Sequence, residues 1–151
     1  MNKNLYSLFL EHQEKIASTR GIKISGLVDA HEINKVESRA TFLTLLDARL
    51  FEHRKKYATP FNNLSGKLGL EHLILVKYHW TPEQIRELTF TDLLLAIQDE
   101  LTYQNSTDDT KAFLDHRYWD SMINHFEDFI DEEWDPELAA RYLRWRPAID
   151  N

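Results

Sequence analysis

Residues 34–57, NKVESRATFLTLLDARLFEHRKKY, contain neither glycine nor proline and set Val36, Leu43, Leu46 and Leu50 on one helical stripe. Phe42, Leu45 and Phe51 widen that stripe, so the segment predicts a long helix with a broad apolar face to bury. Such a face needs neighbours, and the flanking sequence supplies them in the same period. Upstream, Leu5, Leu8, Phe9, His12 and Ile16 recur at i, i+3, i+4, i+7 and i+11, and Arg20-Gly21 stops a first helix over about residues 4–18. Between the two, Gly21-Ile22-Lys23-Ile24-Ser25-Gly26 alternates briefly. With no second strand to pair with, residues 21–28 read as a loop or at most a short strand.

Downstream, Thr59-Pro60-Phe61-Asn62-Asn63-Leu64-Ser65-Gly66 is the densest cluster of helix breakers, which makes residues 59–66 the candidate joint between two halves. Leu70, Leu73, Ile74 and Tyr78 then mark a third helix. Thr81-Pro82-Glu83-Gln84 starts a fourth, with Thr as cap and Pro at the first helical position, ending near Leu88. Thr89 caps a fifth, traced by Phe90, Leu94, Ile97 and Leu101 as far as Gln104. After a polar break from Asn105 to Asp109, Ala112, His116, Trp119, Ile123, Phe126 and Ile130 are spaced alternately by four and three, which predicts one long sixth helix. Asp108 and Asp109 in its first turn suit the helix dipole. Asp135-Pro136-Glu137 opens a last short helix through Leu138, Tyr142 and Trp145, stopped by Pro147.

The chain of 151 residues is sized for one domain, which buries roughly 70% of its unfolded surface without metal or disulfide help. Only four glycines and four prolines leave too few turn residues for a sandwich or barrel. The expected fold is an all-α, single-domain bundle of about six to seven helices over residues 1–151. The longest apolar run, Leu88 to Ile97, already contains Asp92, whereas a membrane span needs about 20 apolar residues. Residues 1–11 are too short and polar for a signal peptide, so the expected location is cytoplasmic.

Zero cysteines exclude disulfides, thiolate zinc sites, iron–sulfur ligation and a cysteine nucleophile. No histidine completes a Glu-x-x-His or His-x-x-x-His pattern, so neither metal nor cofactor is expected. His12 and His116 lie on apolar stripes and read as hydrogen-bonded core or boundary residues. The sequence contains no nucleophile elbow, phosphate loop or dinucleotide fingerprint. A helical-bundle enzyme with a His/carboxylate site gathered from separate helices is therefore the weakest of three functional readings.

The charge of −7 is unevenly spread. Residues 1–57 hold ten Lys or Arg against seven Asp or Glu, while residues 105–151 hold five against twelve. The run Glu127, Asp128, Asp131, Glu132, Glu133, Asp135 and Glu137 reads as a solvated face. Arg49, Arg54, Lys55 and Lys56 end the long helix, where cations suit the dipole, and they support an alternative reading as a nucleic-acid-associated regulator. The net negative charge disfavours that alternative, and helices three to five hold too few cations for a helix-turn-helix reader. The leading expectation is a non-enzymatic protein-interaction or regulatory protein. It would meet a protein partner, or a second copy of itself, through Arg141, Tyr142, Arg144, Trp145 and Arg146, whose cation–aromatic alternation suits interface hot spots. The sixth helix would either be the spine of the core or be shared across a dimer.

Overall fold

The computed structural model describes residues 3–144, so Trp145, Arg146 and Pro147 lie outside the described residues. Among those described there are seven α-helices and no strand: α1 (Lys3–Arg20), α2 (Ala30–Tyr57), α3 (Lys67–Tyr78), α4 (Pro82–Arg86), α5 (Phe90–Ala96), α6 (Asp108–His116) and α7 (Pro136–Tyr142). Residues 21–28 form a loop that turns at Gly21 and Gly26, both at positive φ.

The α2 helix begins at Ala30, earlier than its apolar stripe, because Asp29 accepts hydrogen bonds from the backbone N–H groups of His31 and Glu32. From Leu43 to Leu50 all residues but Arg49 are buried, with α1, α3 and α6 packed directly against α2. The α1 helix packs along it and inserts Leu5, Leu8, Phe9 and Ile16, and α7 then lies on α1. On another side α3 contributes Leu70, Leu73 and Ile74, followed by Ile85 of α4 and Phe90, Leu93 and Leu94 of α5. Thr81 and Gln84 form a reciprocal capping box at the start of α4, and Thr89 caps α5. The same buried cluster includes Leu50 and Leu70, so it runs past both flanks of the 59–66 turn. Within that turn Thr59 and Asn62 pair with each other.

Two expectations about helix length are corrected. The α5 helix gives way to a 3-10 turn at Gln98–Glu100, well before Gln104, although Leu101 remains buried. More consequentially, the long sixth helix does not form. The α6 helix stops at His116, Tyr118 adopts a left-handed conformation (φ 55°), and residues 117–135 continue as irregular chain with short 3-10 turns at Trp119–Ser121 and Asp131–Glu133. The buried face of α6 is Thr110, Phe113 and Leu114, so Ala112 and His116 of the expected stripe face outward and Ile123 is 84% exposed.

Candidate functional site

The irregular segment 117–135 is laid across α1 and α2 by two arginines that share one buried carboxylate. Arg39, on α2, donates from Nη1 to Oε1 of Glu133 at 2.7 Å, and from Nη2 to the backbone carbonyls of Phe126 (3.1 Å) and Asp128 (2.9 Å). Arg20, at the end of α1, donates from Nε to the other oxygen of Glu133 and from Nη2 to the carbonyl of Asp128. Glu133 is 1% exposed and also accepts from the Ile130 N–H. These carbonyls explain why the segment is not helical. In a helix they would be engaged by N–H groups four residues on, and Arg39 would lose two acceptors.

The electrostatics follow from burial. Desolvation pushes the Arg39 pKa down, with Glu133 acting against it, while at Arg20 burial is outweighed by Glu133 and Asp128 and the pKa rises. Both guanidinium groups also sit on aromatic faces, Arg20 at 3.8 Å from the Phe126 ring centroid and Arg39 at 4.0 Å from that of Phe129.

Pinned this way, the segment walls a pocket of about 400 Å³ between itself and α2. Phe42, Trp119, Met122, Phe126 and Phe129 form most of its lining, with Ser38, Arg39 and His125. The same segment exposes four acidic side chains, Asp120, Glu127, Asp131 and Glu132. The arrangement can take an apolar side chain and favours cationic flanks.

Two histidines, His12 and His53, are buried inside the bundle. His12 is buried and bonds through Nε2 to Oδ2 of Asp47 at 2.7 Å, and the other Asp47 oxygen accepts from the Trp134 indole at 2.9 Å. Its Nδ1 has no partner among the described residues, and the ring is sealed from solvent, where no substrate reaches it. His53 and His72 bond to each other at 2.8 Å beside the Tyr57 ring. Burial, followed by the neighbouring charge of His72, lowers the His53 pKa to about 4. His116, expected at the core or its boundary, is exposed and meets the edge of Tyr6. Among the described residues no three His, Asp or Glu side chains group to hold a metal ion, and no helix is long and apolar enough to cross a membrane.

The basic stretch at the end of α2 does not form a continuous cationic surface. Arg49 is bound to Glu100 at 3.0 Å on one side of α2, Arg54 is buried on another, Lys55 pairs with Glu52, and Lys56 lies over the Tyr57 ring. In the tail, Arg141 and Arg144 are exposed, whereas the Tyr142 hydroxyl donates to Glu11 at 3.0 Å. That bond raises the pKa of Tyr142. Sequence reasoning missed Arg20, Arg39 and Glu133, because nothing local distinguishes Glu133 from the acidic residues beside it. No protein-family profile, curated protein or solved structure matches the chain.

Proposed function

We propose that this protein is a non-enzymatic interaction module whose recognition element is the 117–135 segment, and that its partner is a protein segment carrying an apolar anchor between basic residues. The pocket walled by Phe42, Trp119, Met122, Phe126 and Phe129, in a segment that also exposes Asp120, Glu127, Asp131 and Glu132, is the observation that carries the reading. An aliphatic or aromatic side chain fills such a pocket, and cations on either side meet Asp120, Glu127, Asp131 and Glu132. Arg141 and Arg144, exposed on and just after α7, offer a second contact point of opposite charge. The dispersal of Arg49, Arg54, Lys55 and Lys56 weighs against the nucleic-acid alternative, because phosphate contacts along a duplex need cations on one surface.

Selection from a random peptide library against the full chain tests the proposal. The expected outcome is convergence on sequences with Lys or Arg flanking Leu, Phe or Trp, with binding lost in Met122→Glu and weakened by salt. Selected peptides without basic bias, or binding unchanged by Met122→Glu in a variant that melts normally, overturn it. Sedimentation of the unmodified protein addresses the remaining possibility: a concentration-dependent dimer abolished by the same substitution makes the partner a second copy of this chain.

A further inference from the structure

The strongest unexplained group outside that pocket is Arg54. It sits in the last turn of α2, is only 8% exposed, and its side chain has no hydrogen-bond or ion-pair partner among the described residues. The one carboxylate that acts on it through space, Asp47, has both oxygens engaged by His12 and Trp134. Its guanidinium is mostly enclosed without an anion, with its nitrogens open only toward the pocket, and burial pushes its pKa down.

The same side chain lines a second pocket, of about 230 Å³, on the face where the 59–66 turn meets α7. The α3 helix begins at this pocket, and its N-cap, Gly66, provides no side chain to cap the first turn. Asn63 and Ser65 line the approach, Arg144 brings a second guanidinium from beyond α7, and Glu137 contributes the one carboxylate. One glycine lines the wall and another packs behind it against Arg54. At Gly66, which has φ +63°, a Cβ would approach Pro136 at 3.6 Å. At Gly69 a Cβ would meet the Leu64 carbonyl at 2.9 Å and the Arg54 Nη1 at 3.8 Å, which places the guanidinium against the first turn of α3.

We infer that this pocket is a binding site for a small phosphate monoester, held between the Arg54 guanidinium, the N-terminus of α3 and Arg144. The planar donor fork of Arg54 matches two phosphate oxygens, and a helix start favours anions. Ala140 and Leu143 supply an apolar wall for the esterified group. A duplex backbone is the wrong ligand for this site, because Arg54 lies inside the pocket and not on the surface. The site shares no lining residue with the 117–135 pocket and does not depend on the interaction reading.

The test is amide NMR of the full chain titrated with inorganic phosphate, with glycerol phosphate, and with chloride at matched ionic strength. The expected result is saturable shifts at residues 63–69 and 144 with both phosphates and none with chloride. Arg54→Gln should weaken the affinity about tenfold or more, and Arg144→Ala by a few-fold. Should Arg54→Gln fail to fold, Arg144→Ala, an exposed substitution, together with a phosphate-specific rise in the melting temperature of the unmodified protein, still decides the matter. Shifts equal in chloride, no saturation, shifts outside this pocket, tighter binding of a short DNA duplex than of either phosphate, or an affinity unchanged in both variants overturns the proposal.

Discussion

The α2 helix and the 117–135 segment carry the same kind of apolar spacing, yet one is the longest helix among the described residues and the other is not a helix at all. In α2, the Asp29 cap, the absence of breakers and burial on nearly every side all favour the same conformation. In 117–135 helical spacing competes with two arginines on neighbouring helices that need acceptors, and the chain turns its carbonyls toward them. An apolar period therefore describes what a segment can bury, and becomes a helix only where no buried partner claims the backbone.

Breaking the pinning carboxylate is the most direct attack on this comparison. Glu133→Ala leaves Arg39 buried beside an empty site and should cost about 3 to 5 kcal/mol in urea unfolding. Amide hydrogen exchange is expected to rise across 117–135 while α2 remains protected. Uniform loss of protection would show that the segment is not held separately.

A paired truncation sharpens the contrast in burial. Phe113→Ala, in the fully buried face of α6, should cost about 3 to 5 kcal/mol. Phe126→Ala, half-buried against Arg20, should cost only about 1 to 2 kcal/mol, in proportion to the smaller area lost. Equal costs would mean that the segment packs as tightly as the core.

The C-terminal half of α2 carries the acid sensitivity. His53 has a folded pKa of about 4 against 6.5 for the free side chain, so below pH 6.5 the unfolded chain binds the proton first. The contribution is complete above pH 6.5 and is lost as the pH falls toward 4, roughly 3 kcal/mol in all. His53→Leu should flatten that part of the stability–pH curve, and an unchanged slope would place the sensitivity elsewhere. The smallest expected effect is at the other end of the helix. There Asp29→Ala should remove about 1 kcal/mol and fray the first turn of α2, seen as faster exchange at His31 and Glu32 without change in 117–135.

Much of the bundle was legible from local signals. The α1 stripe, the capping box at Thr81, the Thr89 cap and the loop at 21–28 each depend on residues close in sequence, where a single side chain or the helical period decides the outcome. The irregular course near 126–133 was not legible, because the residues that bind its carbonyls and Glu133, Arg20 and Arg39, lie far upstream.

The candidate site divides in the same way. The aromatic residues Trp119 and Phe126 and the acids around them were visible as an amphipathic pattern, and Arg54 was visible as a cation at a helix end. Their roles depend on which groups meet in space. Glu133 is a buried pin while its neighbour Glu132 is solvated, and Arg54 is enclosed while Lys55, one residue on, is exposed. Composition and period by themselves determined an all-helical chain with a long α2, since both follow from how one segment buries its own apolar face. Only the tertiary structure decided where helix yields to irregular chain and which charges are paired, because burying a charge requires a partner that the neighbouring sequence does not contain.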